Sequence, residues 1–304
     1  MGNKLQPTGK KSSYVLKKTW TPYLYQMPAV LVLVVLMLFP IFMVIRYSLY
    51  NNVIMNKNPV FVGIRNYITI LKDETFRLAL GNALYFTLMS IVFHLIIGMC
   101  FALLLNLKTI IRPLRSLFRI FYILPWLFTA TIIAVIWRLI LNPSGIINYI
   151  LQFVKIINTN VEWLASTRTA LHAVTFINIW AGYPFYMVSL LAGLQGVPTD
   201  LYEAATIDGA NGLRKFFSIT IPQLMPIIIS IAMLDFIWTM QVFALIWMTT
   251  GGGPIRATEV LGTYTYKLAF ERMQFSLASS SAVIILIISL IIAIFYIKHQ
   301  RARN

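Results

Sequence analysis

Charge is scarce in this sequence. Asp, Glu, Lys and Arg make up 11% of its 304 residues, against about 25% in an ordinary soluble domain, so a surface facing water on all sides is excluded. Acids are scarcest: nine, against 25 Lys and Arg. So few and so scattered, they offer no obvious carboxylate pair for general acid and base work. The single cysteine, Cys100, excludes an internal disulfide. The three histidines, His94, His172 and His299, lack metal-ligand spacing. Neither a phosphate-cradling G-x-x-x-x-G-K-S/T run nor a dinucleotide-binding G-x-G-x-x-G pattern occurs. The chain therefore cannot hydrolyse ATP alone, and no constellation for catalysis is visible. Internal repeats, heptads and low-complexity tracts are also missing.

What is present is apolar length. Hydrophobic residues reach 59% and the mean hydropathy is +0.78. A membrane-crossing helix needs about 20 mostly apolar residues, and six stretches near that length occur: Leu24–Tyr47, Leu80–Leu105, Leu117–Leu141, Leu171–Leu191, Leu224–Trp247 and Leu277–Ile297. The first is too long for a cleaved signal peptide and lacks a small-x-small site after it. In the fourth, Asn178, Trp180, Gly182, Tyr183 and Pro184 interrupt the apolar pattern. These stretches predict an all-α membrane protein of six helices.

The formal charge of +16 would suggest nucleic-acid binding in a soluble protein, but here it reads as an orienting device. Lys and Arg gather in short cytoplasmic segments of membrane proteins. Lys4, Lys10, Lys11, Lys17 and Lys18 precede the first stretch; Lys108, Arg112, Arg115 and Arg119 follow the second; Lys298, Arg301 and Arg303 follow the last. Both termini are thus expected in the cytoplasm, with 1–22 and 298–304 as tails around a transmembrane unit at 23–297. Segments 50–78, 142–168 and 248–276 fall outside.

The same orientation places a loop at 193–222 in the cytoplasm. Asp200 and Glu203 have capping-box spacing, Gly209 permits the positive φ that ends a helix, and Asn211 can cap another. In that second helix Leu213, Phe216, Phe217 and Thr220 share one face by i, i+3, i+4 spacing. This face can lie on the chain's own helices or the lipid interface, or in a groove of a partner protein.

The loop resembles a known family. Glu203-Ala204-Ala205, then Gly209, then Ile219-Thr220-Ile221-Pro222 is similar to the Glu-Ala-Ala…Gly…Ile-x-Leu-Pro loop of transmembrane permease subunits of binding-protein-dependent ABC importers, with Ile221 where Leu is usual. Ala192-Gly193-Leu194-Gln195, Pro198, Ile207-Asp208-Gly209-Ala210 and Thr250-Gly251-Gly252-Gly253-Pro254 resemble the oligosaccharide and glycerol-phosphate branch, the last of them the first of its two permeases. The resemblance covers roughly 80–297.

It implies a type I ABC importer permease fold and a non-catalytic subunit in a bacterial cytoplasmic (inner) membrane. The implied partners are a second homologous permease, two ATPase subunits that bind ATP and Mg, and an extracellular or periplasmic substrate-binding protein. This chain itself holds no cofactor and no nucleic acid. Glu203, Ala204, Ala205, Asp208 and Gly209 would form a coupling helix and turn in a cleft of the ATPase, Glu203 facing a basic residue there. A carboxylate near the start of that helix also suits the helix dipole.

Sugar-binding positions of the family fall on Asp235, Thr239, Gln241 and Val242, and on Gly182 and Phe185. Amides or hydroxyls are usual at several of these, so Val242 and the charge of Asp235 depart from the pattern. Polar residues at membrane depth mark a substrate path or a bond between helices, and Asp235 fits either. Trp180, Tyr183, Phe185, Tyr186 and Trp238 could stack on a sugar. His94 reads as an interhelical hydrogen-bond donor, with a proton relay as the alternative. The expected cargo is an oligo- or polysaccharide. The alternatives are a glycerol phosphate, an ion-coupled secondary transporter, and a membrane-embedded sensor or scaffold.

Overall fold

The computed structural model describes residues 11–51, 53–107 and 111–301, with side chains from residue 22 to 298. Lys4, Lys10, Lys108 and Arg303 lie outside the described residues, as do the side chains of Lys11, Lys17, Lys18, His299 and Arg301.

Helix α1 (Lys11–Leu33) starts inside the segment expected as a tail and continues through a π turn (Val34–Leu38) into α2 (Phe39–Ser48). Together they give a 27-residue span at Pro22–Ser48, and none of its most apolar stretch is buried within the chain. Strands β1 (Tyr50–Asn51) and β2 (Val60–Phe61) pair antiparallel, Tyr50 opposite Phe61. Helix α3 (Arg65–Lys72) then leads to α4 (Glu74–Asn106). The α4 start is capped by Asp73, whose carboxylate accepts from the Thr75 backbone N–H at 2.7 Å.

The third expected helix is two. Helices α5 (Arg112–Leu127) and α6 (Ala130–Ile140) meet at 99°, because Phe128 and Thr129 are extended and the Thr129 hydroxyl caps the new helix start. Pro125, which lacks an N–H, sits in the last turn before the break. Hydropathy reports only apolar length and passes over such a bend.

After α7 (Ile146–Phe153), α8 (Ala170–Gln195) runs unbroken through the polar residues that made it look interrupted. Helix α9 (Thr199–Ile207) and α10 (Gly212–Lys215) form the loop hairpin, and a π turn (Phe216–Thr220) joins α10 to α11 (Ile221–Met240). Gly212–Met240 is a single 29-residue span, about 43 Å long at the helical rise. It ends at Met240, short of the expected Trp247, which belongs to α12 (Ala244–Thr249); Phe243, at φ −130° and ψ −59°, breaks the path. Helix α13 (Leu261–Tyr266) and a π turn (Lys267–Glu271) precede α14 (Phe275–Arg301).

Among the described residues, five helices are long and apolar enough to cross a membrane, and the bent pair brings the count to six if it forms one crossing. Two apolar cores hold them together. One joins Phe86, Trp137, Ile177, Met240, Leu245 and Tyr264; the other joins Met99, Leu105, Tyr186, Leu190, Leu224 and Ile231. Along α4, α8 and α11 these cores are separated by one polar layer, which contains Ser90, His94, Asn178, Asp235 and Thr239.

Candidate functional site

The polar layer is a closed hydrogen-bond network between three helices. His94 Nδ1 on α4 lies 2.8 Å from Asp235 Oδ2 on α11. Tyr186 on α8 donates its hydroxyl to the same oxygen at 3.0 Å, and Thr239 donates to Asp235 Oδ1 at 2.7 Å. His94 Nε2 donates to the Asn178 carbonyl at 3.0 Å, while the Asn178 amide donates to Ser90 Oγ at 2.9 Å. A carboxylate at membrane depth needs such partners. Gly182 makes the approach possible: a Cβ there would collide with the imidazole of His94. Sequence spacing gave the Asp235–Thr239 pair, but the meeting of His94 with Asp235 depends on the packing of α4 against α8 and α11.

Beside this layer the two helix breaks face each other. Between the α5–α6 elbow and the α11–α12 break lies a cavity of about 400 Å³ lined by Trp126, Phe128, Ala130, Asn178, Val242 and Phe243, among others. Broken helices at membrane depth are tolerated where the irregular backbone is packed in protein or lines a cavity, and transporters bind cargo at such places. Next to it Phe185 stands 6.2 Å from Trp126 and 5.4 Å from Trp238, ring centre to ring centre. Both tryptophans are more than half exposed.

The residues expected on a substrate path therefore divide. Val242 lines the cavity, Phe185 and Trp238 form the adjoining aromatic cluster, and Gln241 is exposed while its amide reaches Ser289 Oγ on α14 at 3.1 Å. Asp235 and Thr239 are buried in the network, and Gly182 lies against His94. Trp126, Phe128 and Asn178 join the cavity unannounced; Asn178 inside an apolar helix was the one available signal.

At the other end of the α11 rod, α9 begins at Thr199 with Pro198 as its N-cap and no side-chain cap, so the expected Asp200–Glu203 capping box does not form. Asp200 occupies the first turn, whereas Glu203 sits mid-helix and exposed. The helix closes as expected. Gly209 takes φ +75°, its N–H donates to the Thr206 carbonyl at 3.0 Å, and the Ala210 N–H reaches back to Ala205 at 2.8 Å; this is a Schellman closure. Asn211 caps α10 through the Arg214 N–H at 2.9 Å.

The π turn shifts the register of the following face and divides it. Thr220 turns inward to the Tyr202 hydroxyl at 2.9 Å and Phe216 is half-buried, but Leu213 stays 71% exposed and Phe217 66%. Ala204, Asp208 and Gly209 are exposed, Ala205 half-buried, and Ile207 is 88% exposed. The loop presents an apolar tip with an acid beside it, tied through Tyr202 and Thr220 to the root of α11.

The family model for the binding-protein-dependent transport system inner membrane component matches residues 94–302. The trehalose/maltose transport system permease protein MalF of Thermococcus litoralis is 33% identical over 283 residues, 93% of this chain and 94% of its own length. The multiple sugar-binding transport system permease protein MsmF of Streptococcus mutans is 31% identical over 284 residues, covering 93% and 96%. Among solved structures, a bacterial ABC transporter involved in the import of the acidic polysaccharide alginate superposes with a TM-score of 0.81 over 96% of this chain and 99% of that one, at 21% identity. The fold is thus the type I ABC importer permease fold.

Proposed function

As the chain belongs to the binding-protein-dependent transport system inner membrane component family, we propose that it is one of two permease halves of an ATP-driven sugar importer in a bacterial cytoplasmic membrane. The observation that carries this reading is the continuous helix from Gly212 to Met240. One end holds the exposed loop; the other carries Trp238 and Gln241 beside the cavity at the helix breaks. Displacement of the loop moves the substrate end of the same rod.

In this reading both termini and the loop 193–222 are cytoplasmic, and two separate ATPase subunits bind ATP and Mg. Ile207, Leu213 and Phe217 would enter a cleft of one ATPase, with Glu203 or Asp208 meeting a cation there. A second, homologous permease covers the exposed face of Pro22–Ser48 and closes the path opposite Trp126 and Trp238. A substrate-binding protein delivers the sugar from outside. Aromatic faces at Trp126, Phe185 and Trp238 with amides at Asn178 and Gln241 suit a sugar, which offers apolar C–H faces and a rim of hydroxyls.

The carboxylate of Asp235 is fully bonded within the chain, so its charge is no argument against an acidic sugar or a glycerol phosphate. The sugars for which its relatives are named favour oligo- or polysaccharides over the phosphate. ATP-dependent uptake screened over neutral and acidic oligosaccharides tests the reading: uptake of none, or uptake of glycerol phosphate alone, would reject it.

A further inference from the structure

Both ring nitrogens of His94 face acceptors. Nε2 lies 3.0 Å from the backbone carbonyl of Asn178, a group that can only accept, so Nε2 carries a proton. Nδ1 lies 2.8 Å from Asp235 Oδ2. That carboxylate also receives the hydroxyls of Tyr186 at 3.0 Å and Thr239 at 2.7 Å. The Tyr186 and Thr239 hydroxyls both donate to it, and a proton on Nδ1 would make His94 the third donor. We propose that Asp235 is the common acceptor and His94 is a doubly protonated imidazolium. The two then form a net-neutral ion pair at membrane depth that positions Asn178 at the cavity.

Burial makes the charge balance matter. His94 is 2% exposed and Asp235 7%, where water cannot compensate a lone carboxylate. From α4 the charged group facing Asp235 is His94; from α8 the titratable group is Tyr186; from α11 itself the partner is the neutral Thr239. Of these groups only the imidazole can carry a compensating positive charge. The pair also acts on the cavity. His94 holds the Asn178 carbonyl while Ser90, one turn earlier on α4, takes its amide. The main-chain carbonyl and the side-chain nitrogen of Asn178 are both held by α4, and Asn178 lines the cavity. His94 and Asp235 are thus positioning residues rather than sugar ligands.

This assignment rests on the sugar-importer reading only in taking the cavity as the path; the protonation of His94 does not depend on it. Nitrogen-15 NMR of the full chain in lipid nanodiscs reads it directly, with the His94 signals identified by their loss in His94→Gln. The expected result is a proton on both ring nitrogens, and on one alone in Asp235→Asn. A single protonated nitrogen in the unsubstituted chain, or two in Asp235→Asn, would overturn the assignment. Uptake by the assembled transporter gives a second reading. His94→Gln keeps a donor but not the charge and should lower uptake by about tenfold or more; adding Asp235→Asn removes the stranded charge and should restore most of it. A double variant as poor as His94→Gln would contradict the charge pairing.

Discussion

Gly182 on α8 lies against the imidazole of His94 on α4, where any Cβ would overlap the ring. The missing side chain lets the ring reach the Asn178 carbonyl on α8 and Asp235 on α11 at once. The resemblance to sugar permeases implied a substrate-path role for Gly182; the packing seats it against the buried network.

Gly182→Ala should displace the ring and break the network, at the cost of about 1–3 kcal/mol typical of an overfilled core. The variant is expected to insert in the membrane, unfold at lower temperature and lose most uptake. Thermal unfolding in nanodiscs alongside uptake checks this, and unchanged stability would remove the steric argument.

Gly209→Val should uncouple the loop from α11. A β-branched residue at φ +75° is strained by roughly 1–2 kcal/mol or more, so the Schellman closure opens and the tip formed by Ile207 and Leu213 is lost. Uptake should be abolished with normal insertion, and ATP hydrolysis by the complex should no longer respond to loaded binding protein. A responsive variant would show that the loop does not couple.

Trp238→Ala removes one face of the aromatic cluster next to the cavity. Half-saturation of sugar-stimulated ATP hydrolysis should rise about tenfold, equivalent to about 1.4 kcal/mol of lost contact, with basal hydrolysis unaltered. Half-saturation unchanged for every sugar transported would take Trp238 out of the path.

Asp73 gives a pH prediction outside the membrane. Burial opposes its ionisation, but hydrogen bonds from Tyr264 and Thr75 outweigh this and hold the carboxyl below its ordinary 3.8. Burial and the same Asp73 bond push the Tyr264 phenol up. A depressed carboxyl stabilises fully above its unfolded value, and that stabilisation is lost as pH falls through the lower folded value. Asp73→Ala should therefore cost about 1 kcal/mol at neutral pH as a lost N-cap, and the gap to the unsubstituted chain should narrow below pH 3.8. A gap independent of pH would mean that the charge does not matter.

Much of the fold was legible because membrane crossing imposes length and apolarity on each helix, and both leave marks in the residues. Gly209 and Asn211 were legible because their roles are local. The 99° elbow at Phe128–Thr129 and the break at Gln241–Phe243 were hidden: apolar residues flank both, and hydropathy averages over the few residues at which the backbone turns. The π turn at Phe216–Thr220 likewise moved Phe217 outward where a regular helix would have kept it with Phe216 and Thr220. For Asp235 the residue could be singled out, but its environment depends on α4 and α8. His94, 141 positions away, had no mark of its own beyond being polar in an apolar run.

The central claim is that ATP drives sugar through this chain by way of the loop at 193–222. The most direct test is reconstitution of the chain with its second permease, ATPase and binding protein in proteoliposomes, followed by uptake of labelled sugar. Uptake should require ATP on the loop side and loaded binding protein on the other, and Gly209→Val should abolish it. Uptake driven by an ion gradient without ATP or binding protein would contradict the claim.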